Sequence, residues 1–150
     1  GENRLMDHEI AYLMLRDANS DFIRALSAPD AMTIPERTDE QGIARAAQTG
    51  PVFSIDPASG DLHMRYTART RSIEWKQDAT TLAAVAMLEI LLASDSPHIH
   101  HARLDSGMGL LCNNVLHDRA AFADDGTAPR LLFRVRYLDR IANTSLKLRA

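Results

Sequence analysis

Three arginines alternate with apolar side chains in Pro129-Arg130-Leu131-Leu132-Phe133-Arg134-Val135-Arg136-Tyr137. On an extended chain the period of two puts Arg130, Arg134 and Arg136 on one face and Leu131, Phe133, Val135 and Tyr137 on the other. Two chemistries fit that pattern. The arginines either solvate the outer face of a strand, or line a concave anion site, where the planar guanidinium matches a carboxylate bidentately and keeps its charge when desolvated. Upstream, His117 ends the apolar run Leu110 to Leu116 and precedes Asp118-Arg119-Ala120-Ala121-Phe122. A neutral imidazole is a ligand for divalent transition metals, but a lone histidine at a strand end is more commonly half-buried and structural. His98 and His100 share a strand face with His101 nearby, yet no acid or cysteine sits at a ligand spacing, so a solvated polar strand is the simpler reading. Arg65, Arg69 and Arg71 either face an anionic substrate or are surface charges. Tyr66 and Trp75 suit either a cage for a quaternary ammonium or core packing. Cys112, the single cysteine, has no cationic neighbour in sequence and is expected as a small buried apolar group.

These residues need elements to position them. From Asp7 to Leu26 the apolar residues Ile10, Leu13, Met14, Phe22, Ile23 and Leu26 recur at helical intervals, which predicts two short helices with Ser20 capping the second. Residues 27–50 carry Pro29, Pro35, Thr38, Asp39 and Gly42 with few large apolar side chains, the composition of a long surface loop or lid. A hairpin follows, with strands Pro51 to Asp56 and Asp61 to Thr67 around the turn Pro57-Ala58-Ser59-Gly60. Asp78 is placed to cap a helix reaching Ala93, with Leu82, Val85, Leu88, Leu91 and Leu92 as its apolar stripe. Strands are predicted over His98 to Leu104, Leu110 to Leu116 and Pro129 to Asp139.

The 150 residues, 45% apolar and 25% charged, fit one soluble α+β domain, mainly β. No apolar run approaches the ~18 residues of a membrane span. A lone cysteine rules out an internal disulfide, and with no secretory signal at Gly1 the expected setting is the cytoplasm. A net charge of −3 speaks against nucleic-acid binding through the overall field.

The segment Asn114-Val115-Leu116-His117-Asp118-Arg119-Ala120-Ala121-Phe122, with Arg130 thirteen residues beyond His117, resembles the carboxy-terminal signature of the gamma-butyrobetaine hydroxylase and taurine dioxygenase superfamily. The likeness extends upstream through the hairpin and the Asp78 helix, covering roughly residues 50–140. It implies a double-stranded β-helix, or jelly-roll, that binds Fe(II) and the cosubstrate 2-oxoglutarate and hydroxylates a small polar metabolite. By the same resemblance His117 is the second histidine ligand, Arg130 binds the far carboxylate of 2-oxoglutarate, and Arg134 matches an arginine that some members use for a cosubstrate or substrate carboxylate. Such a metal site holds iron by two histidines and one carboxylate on one face.

Two departures qualify what is implied. Leu111-Cys112 stands where members often carry Asp-Asn. None of His8, His63, His98, His100, His101 or His117 has an acid two residues later, so the His-x-Asp or His-x-Glu pair of the family is absent. The expectation is therefore a carboxy-terminal portion of a longer dioxygenase, joined by a complementary amino-terminal half or by a second copy, since a divided jelly-roll leaves strand edges unpaired. A jelly-roll remnant without catalysis, serving as a binding or assembly module, is the alternative.

Overall fold

The computed structural model describes residues 1–40, 42–67, 73–121, 131–137 and 139–141. In chain order these form β1 (Asn3–Met6), α1 (His8–Ala18), α2 (Ser20–Leu26), β2 (Met32–Ile34), β3 (Arg37–Asp39), β4 (Gly42–Arg45), β5 (Gln48–Gly50), β6 (Phe53–Ile55), β7 (Leu62–Met64), β8 (Glu74–Trp75), α3 (Ala79–Ala93), β9 (His100–Ala102) and β10 (Leu116–Arg119). The fold is α+β, and every described strand pairing is antiparallel.

The helices begin where side chains satisfy their first free N–H groups. Asp7 accepts from the Glu9 amide at 2.8 Å and starts α1. Asn19 then does two jobs. Its backbone N–H closes α1 on the Leu15 carbonyl, and its side chain accepts from the Asp21 amide to start α2. The cap is thus Asn19, and Ser20, expected in that role, is the first helical residue. Asp78 caps α3 as expected, accepting from both the backbone N–H and the hydroxyl of Thr81.

In α3 the buried face is Thr81, Ala84, Val85, Leu88 and Leu91, whereas Leu82 is 41% exposed. The stripe expected from sequence runs through the largest apolar side chains. Because this helix is apolar almost all round, periodicity alone does not choose its inner face. Small Ala84 and Thr81 face inward where α3 packs on α1 and α2. One core joins these helices to the strands through Met6, Leu15, Leu26, Met32, Val52, Phe53, Met64, Leu88 and Ile99, with the Tyr12 ring edge-on to Phe53 at 5.3 Å between centroids.

The hairpin β6–β7 forms as predicted. Asp56 accepts from the Ala58 and Ser59 amides, and Gly60 takes φ +75, a left-handed conformation that glycine adopts without strain. Residues 27–50 differ from the single long loop expected there, because they carry β2 to β5. Each of these strands has three or four residues, and β2 finds its partners β5 and β8 at a distance along the chain. Strands so short, with partners so remote, leave no local period to detect.

The carboxy-terminal third departs most from expectation. Residues 110–115 are not strand; Asn114 takes a left-handed φ of 52, and β10 starts only at Leu116 and runs through His117 to Arg119. Among residues 131–137 no strand forms, and Leu131, Phe133, Val135 and Tyr137 are 68% to 82% exposed, so the expected arginine strand is absent from the described part of that segment. No described helix is long and apolar enough to cross a membrane.

Candidate functional site

Strand β1 lies between β9 and β10, and its Leu5 stands opposite both His100 and His117. Residues directly across a sheet share a face. His100, Leu5 and His117 therefore form one row, while His101, Arg4 and Asp118 point to the other side. On that other side Arg4 reaches Asp118 at 3.9 Å and donates to the Ser94 carbonyl, and His101 Nδ1 meets Glu2 Oε2 at 2.9 Å.

His117 is oriented through both ring nitrogens. Nδ1 is 3.0 Å from the Val115 carbonyl, which can only accept, so Nδ1 carries the proton and Nε2 presents a lone pair. That lone pair accepts from Arg134 Nη2 at 3.2 Å. The segment that brings Arg134 to β10 is tied at its far end, where the Asn113 carboxamide exchanges two hydrogen bonds with the Ile141 backbone and Arg140 pairs with Asp61 at 3.3 Å. His117, Arg134 and Arg136 are all exposed. Arg130, the residue matched to the cosubstrate clamp, lies outside the described residues, as do Arg69 and Arg71.

An imidazole whose Nδ1 is fixed by a carbonyl has the tautomer and orientation of a ligating histidine. By itself that offers a metal one donor atom. The rest of a donor set is not at hand: among the described residues no group of three or more His, Cys, Asp and Glu could hold a metal ion. His98, expected to share a strand face with His100, precedes β9, and its amide donates to Ser96 Oγ.

Arg65, Tyr66 and Trp75 make packing and hydrogen-bond contacts within the fold. Arg65 donates to the Met32 and Gln48 carbonyls at 3.3 and 3.5 Å, joining the chain after β7 to the β2–β5 pair. A side chain at Gly50 would crowd its guanidinium, since a Cβ there meets Nη2 at 3.2 Å. Tyr66 and Trp75 stack at 6.3 Å and pack against the core, and burial pushes the Tyr66 hydroxyl above its ordinary value. Cys112 is exposed, against the expectation of burial, because the apolar run around it does not form a core strand.

Sequence reasoning missed two contributors. His8 is buried at 3% exposure, with Nε2 on the Leu62 carbonyl at 2.9 Å, docking α1 on β7. Its place just after an N-cap was the available signal. Asn113 gave none, because the partner of its carboxamide is a backbone far along the chain. A depression of about 350 Å³ between α2 and the start of α3 is lined by Asp21, Arg24, Lys76, Asp78, Thr80 and Thr81. Arg24 pairs with Asp21 at 2.8 Å within it, and Lys76 pairs at 3.0 Å with Asp30, which is not part of its lining.

No family model, no curated protein and no solved structure matches this chain.

Proposed function

We propose that this chain supplies the distal histidine and the cosubstrate-binding arginines of an Fe(II)- and 2-oxoglutarate-dependent oxygenase that hydroxylates a small polar metabolite. The observation that carries the reading is the proximity of His117 and Arg134: a histidine whose Nδ1 is fixed by a carbonyl, with a guanidinium of the kind that can take a carboxylate 3.2 Å from its Nε2. Order and spacing support it, since Arg130 follows His117 by thirteen residues as in the superfamily it resembles. Iron, when bound, supplies the oxygen activation. The chain's own residues do simpler things. Val115 fixes the imidazole ring, and Arg130 and Arg134 offer guanidinium forks to carboxylates. The jelly-roll, and a complementary half carrying the missing His-x-Asp or His-x-Glu pair, belong to the same proposal.

In the intact gene product, Arg130→Ala is expected to abolish succinate formation from 2-oxoglutarate, and undiminished coupled turnover overturns the assignment. A second reading, a binding or assembly module without catalysis, is favoured by one contact: the Arg134 guanidinium fills the position on Nε2 that a metal would take. Stoichiometric Fe(II) binding by the intact gene product excludes that second reading.

A further inference from the structure

Helix α3 is apolar on two sides and covered on one. Its inner face packs on α1 and α2, while Ala79, Leu82, Ala83, Ala86, Ile90 and Ala93 are exposed on the outer side. At 3.6 residues per turn these six fall within an arc of about 100° around Ala86, with Glu89, the helix's single charged residue, at its rim. A helix whose far side faces water carries polar residues there, and one that is apolar all round is covered on both sides. Leu82 and Ile90 are 41% and 65% exposed, so this face offers large side chains as well as small ones. We propose that α3 packs antiparallel against α3 of a second copy, about a two-fold axis beside Ala86.

The face itself selects a second copy as its occupant, because it is self-complementary. A two-fold contact sets residue i against j and j against i. Centred on Ala86, it puts Leu82 level with Ile90 of the second copy, and Ala79 level with Ala93. Large side chains then meet on either side of a small centre, where the two Ala86 methyl groups let the helix axes approach to about 8 Å.

Charge agrees with that register. Asp95, just past the carboxy-terminal end of α3, is exposed and has no ionic partner among the described residues. The antiparallel pair brings it beside Lys76 of the second copy, just ahead of the helix start. Lys76 holds Asp30 at 3.0 Å and has two further N–H donors to offer. The two Glu89 carboxylates are level with Ala83 rather than with each other, about 9 Å apart along the axis and close to a Debye length. Each helix amino terminus also lies beside the other's carboxy terminus, so the two dipoles attract. Two helices about 22 Å long make an interface at the small end of the specific range, which implies a weak dimer with a dissociation constant on the order of tens of micromolar.

The test is disulfide cross-linking of the full chain carrying Cys112→Ser, which removes the natural thiol, at several times that concentration. A disulfide needs Cα atoms within about 7 Å. Ala86→Cys is expected to form a covalent dimer. In Ala79→Cys and in Ala93→Cys the two thiols of a dimer lie about 21 Å apart, so each is expected to stay monomeric alone and to cross-link when the two are mixed. Ile90→Glu, at an exposed position, is expected to weaken association seen by sedimentation about tenfold or more with unchanged helix content. Leu82→Lys combined with Ile90→Glu is expected to recover about fivefold, because the new opposite charges face each other twice in the dimer. Cross-linking of all three cysteine variants alone is what a parallel pair, or association through residues 131–137, would give, and it overturns the proposal. A dimer in which Ala86→Cys does not cross-link, or a chain that stays monomeric far above tens of micromolar, overturns it as well.

Discussion

The Asn113 carboxamide and the Ile141 backbone exchange two hydrogen bonds, Nδ2 donating to the carbonyl at 3.3 Å and the Ile141 N–H donating to Oδ1 at 2.9 Å. A side-chain amide here takes the place of a strand partner, satisfying both backbone groups of one residue. Together with the Arg140–Asp61 pair it tethers the segment that carries Arg134.

If that tether sets the path of the segment, Asn113→Ala should speed trypsin cleavage after Arg134 and Arg136 several-fold, with little change in global stability. Asn113→Asp should do the same, because its carboxylate cannot donate to the Ile141 carbonyl. Cleavage at the wild-type rate in both variants would show that the segment is positioned by other contacts.

The inner face of α3 makes a sharper test, since sequence and structure disagree about Leu82. Leu88 is fully buried, whereas Leu82 and Ile90 are 41% and 65% exposed. Leu88→Ala should lower the unfolding free energy by about 2–5 kcal/mol. Ile90→Ala should change it by less than about 0.5 kcal/mol, with Leu82→Ala between the two. Denaturant melts decide this; a Leu82 cost equal to that of Leu88 would restore the face read from sequence.

What could be read beforehand was local. The Asp78 cap, the hairpin around Gly60 and the two amino-terminal helices each announce themselves within a few residues, through a capping side chain or turn chemistry. Hidden were features whose partners lie far along the chain: the pairing of Met32 with Gly50 and Trp75, and of Leu5 with both His100 and His117. Alternation in Leu131 to Tyr137 marks strand competence, but a strand also needs a neighbour to pair with. For the site, the resemblance rather than residue spacing alone singled out His117 and Arg134, and the contact between them came only with the structure.

Asp78 links α3 to pH. Hydrogen bonds from the Thr81 backbone N–H and hydroxyl hold its carboxyl below the ordinary value of 3.8. A depressed folded-state pKa means stability that is present above the unfolded value and lost as pH falls through the folded one. Asn is also a good cap but does not titrate there. The difference in melting temperature between wild type and Asp78→Asn should therefore be constant from pH 7 to about 5 and shift against the wild type below pH 3.8. Parallel melting curves across that window would show that the capping bonds favour neither protonation state.

The apolar side chains of residues 131–137 point to association. Leu131, Leu132, Phe133, Val135 and Tyr137 are each more than half exposed, and Met108 and Leu111 are exposed as well. So many large apolar groups in one short segment exceed the scattered exposure usual on a soluble surface. The wild-type chain should therefore bind a hydrophobic dye such as ANS and self-associate at tens of micromolar. Phe133 is the most exposed of the set at 82%, so replacing it removes apolar surface from water at no cost in packing. Phe133→Glu should reduce both dye binding and sedimentation-detected association, while the unfolding free energy stays within about 0.5 kcal/mol. A loss of stability beyond that would place Phe133 in a packed environment, and a dilute wild-type monomer that ignores the dye would remove the case for a sticky surface here.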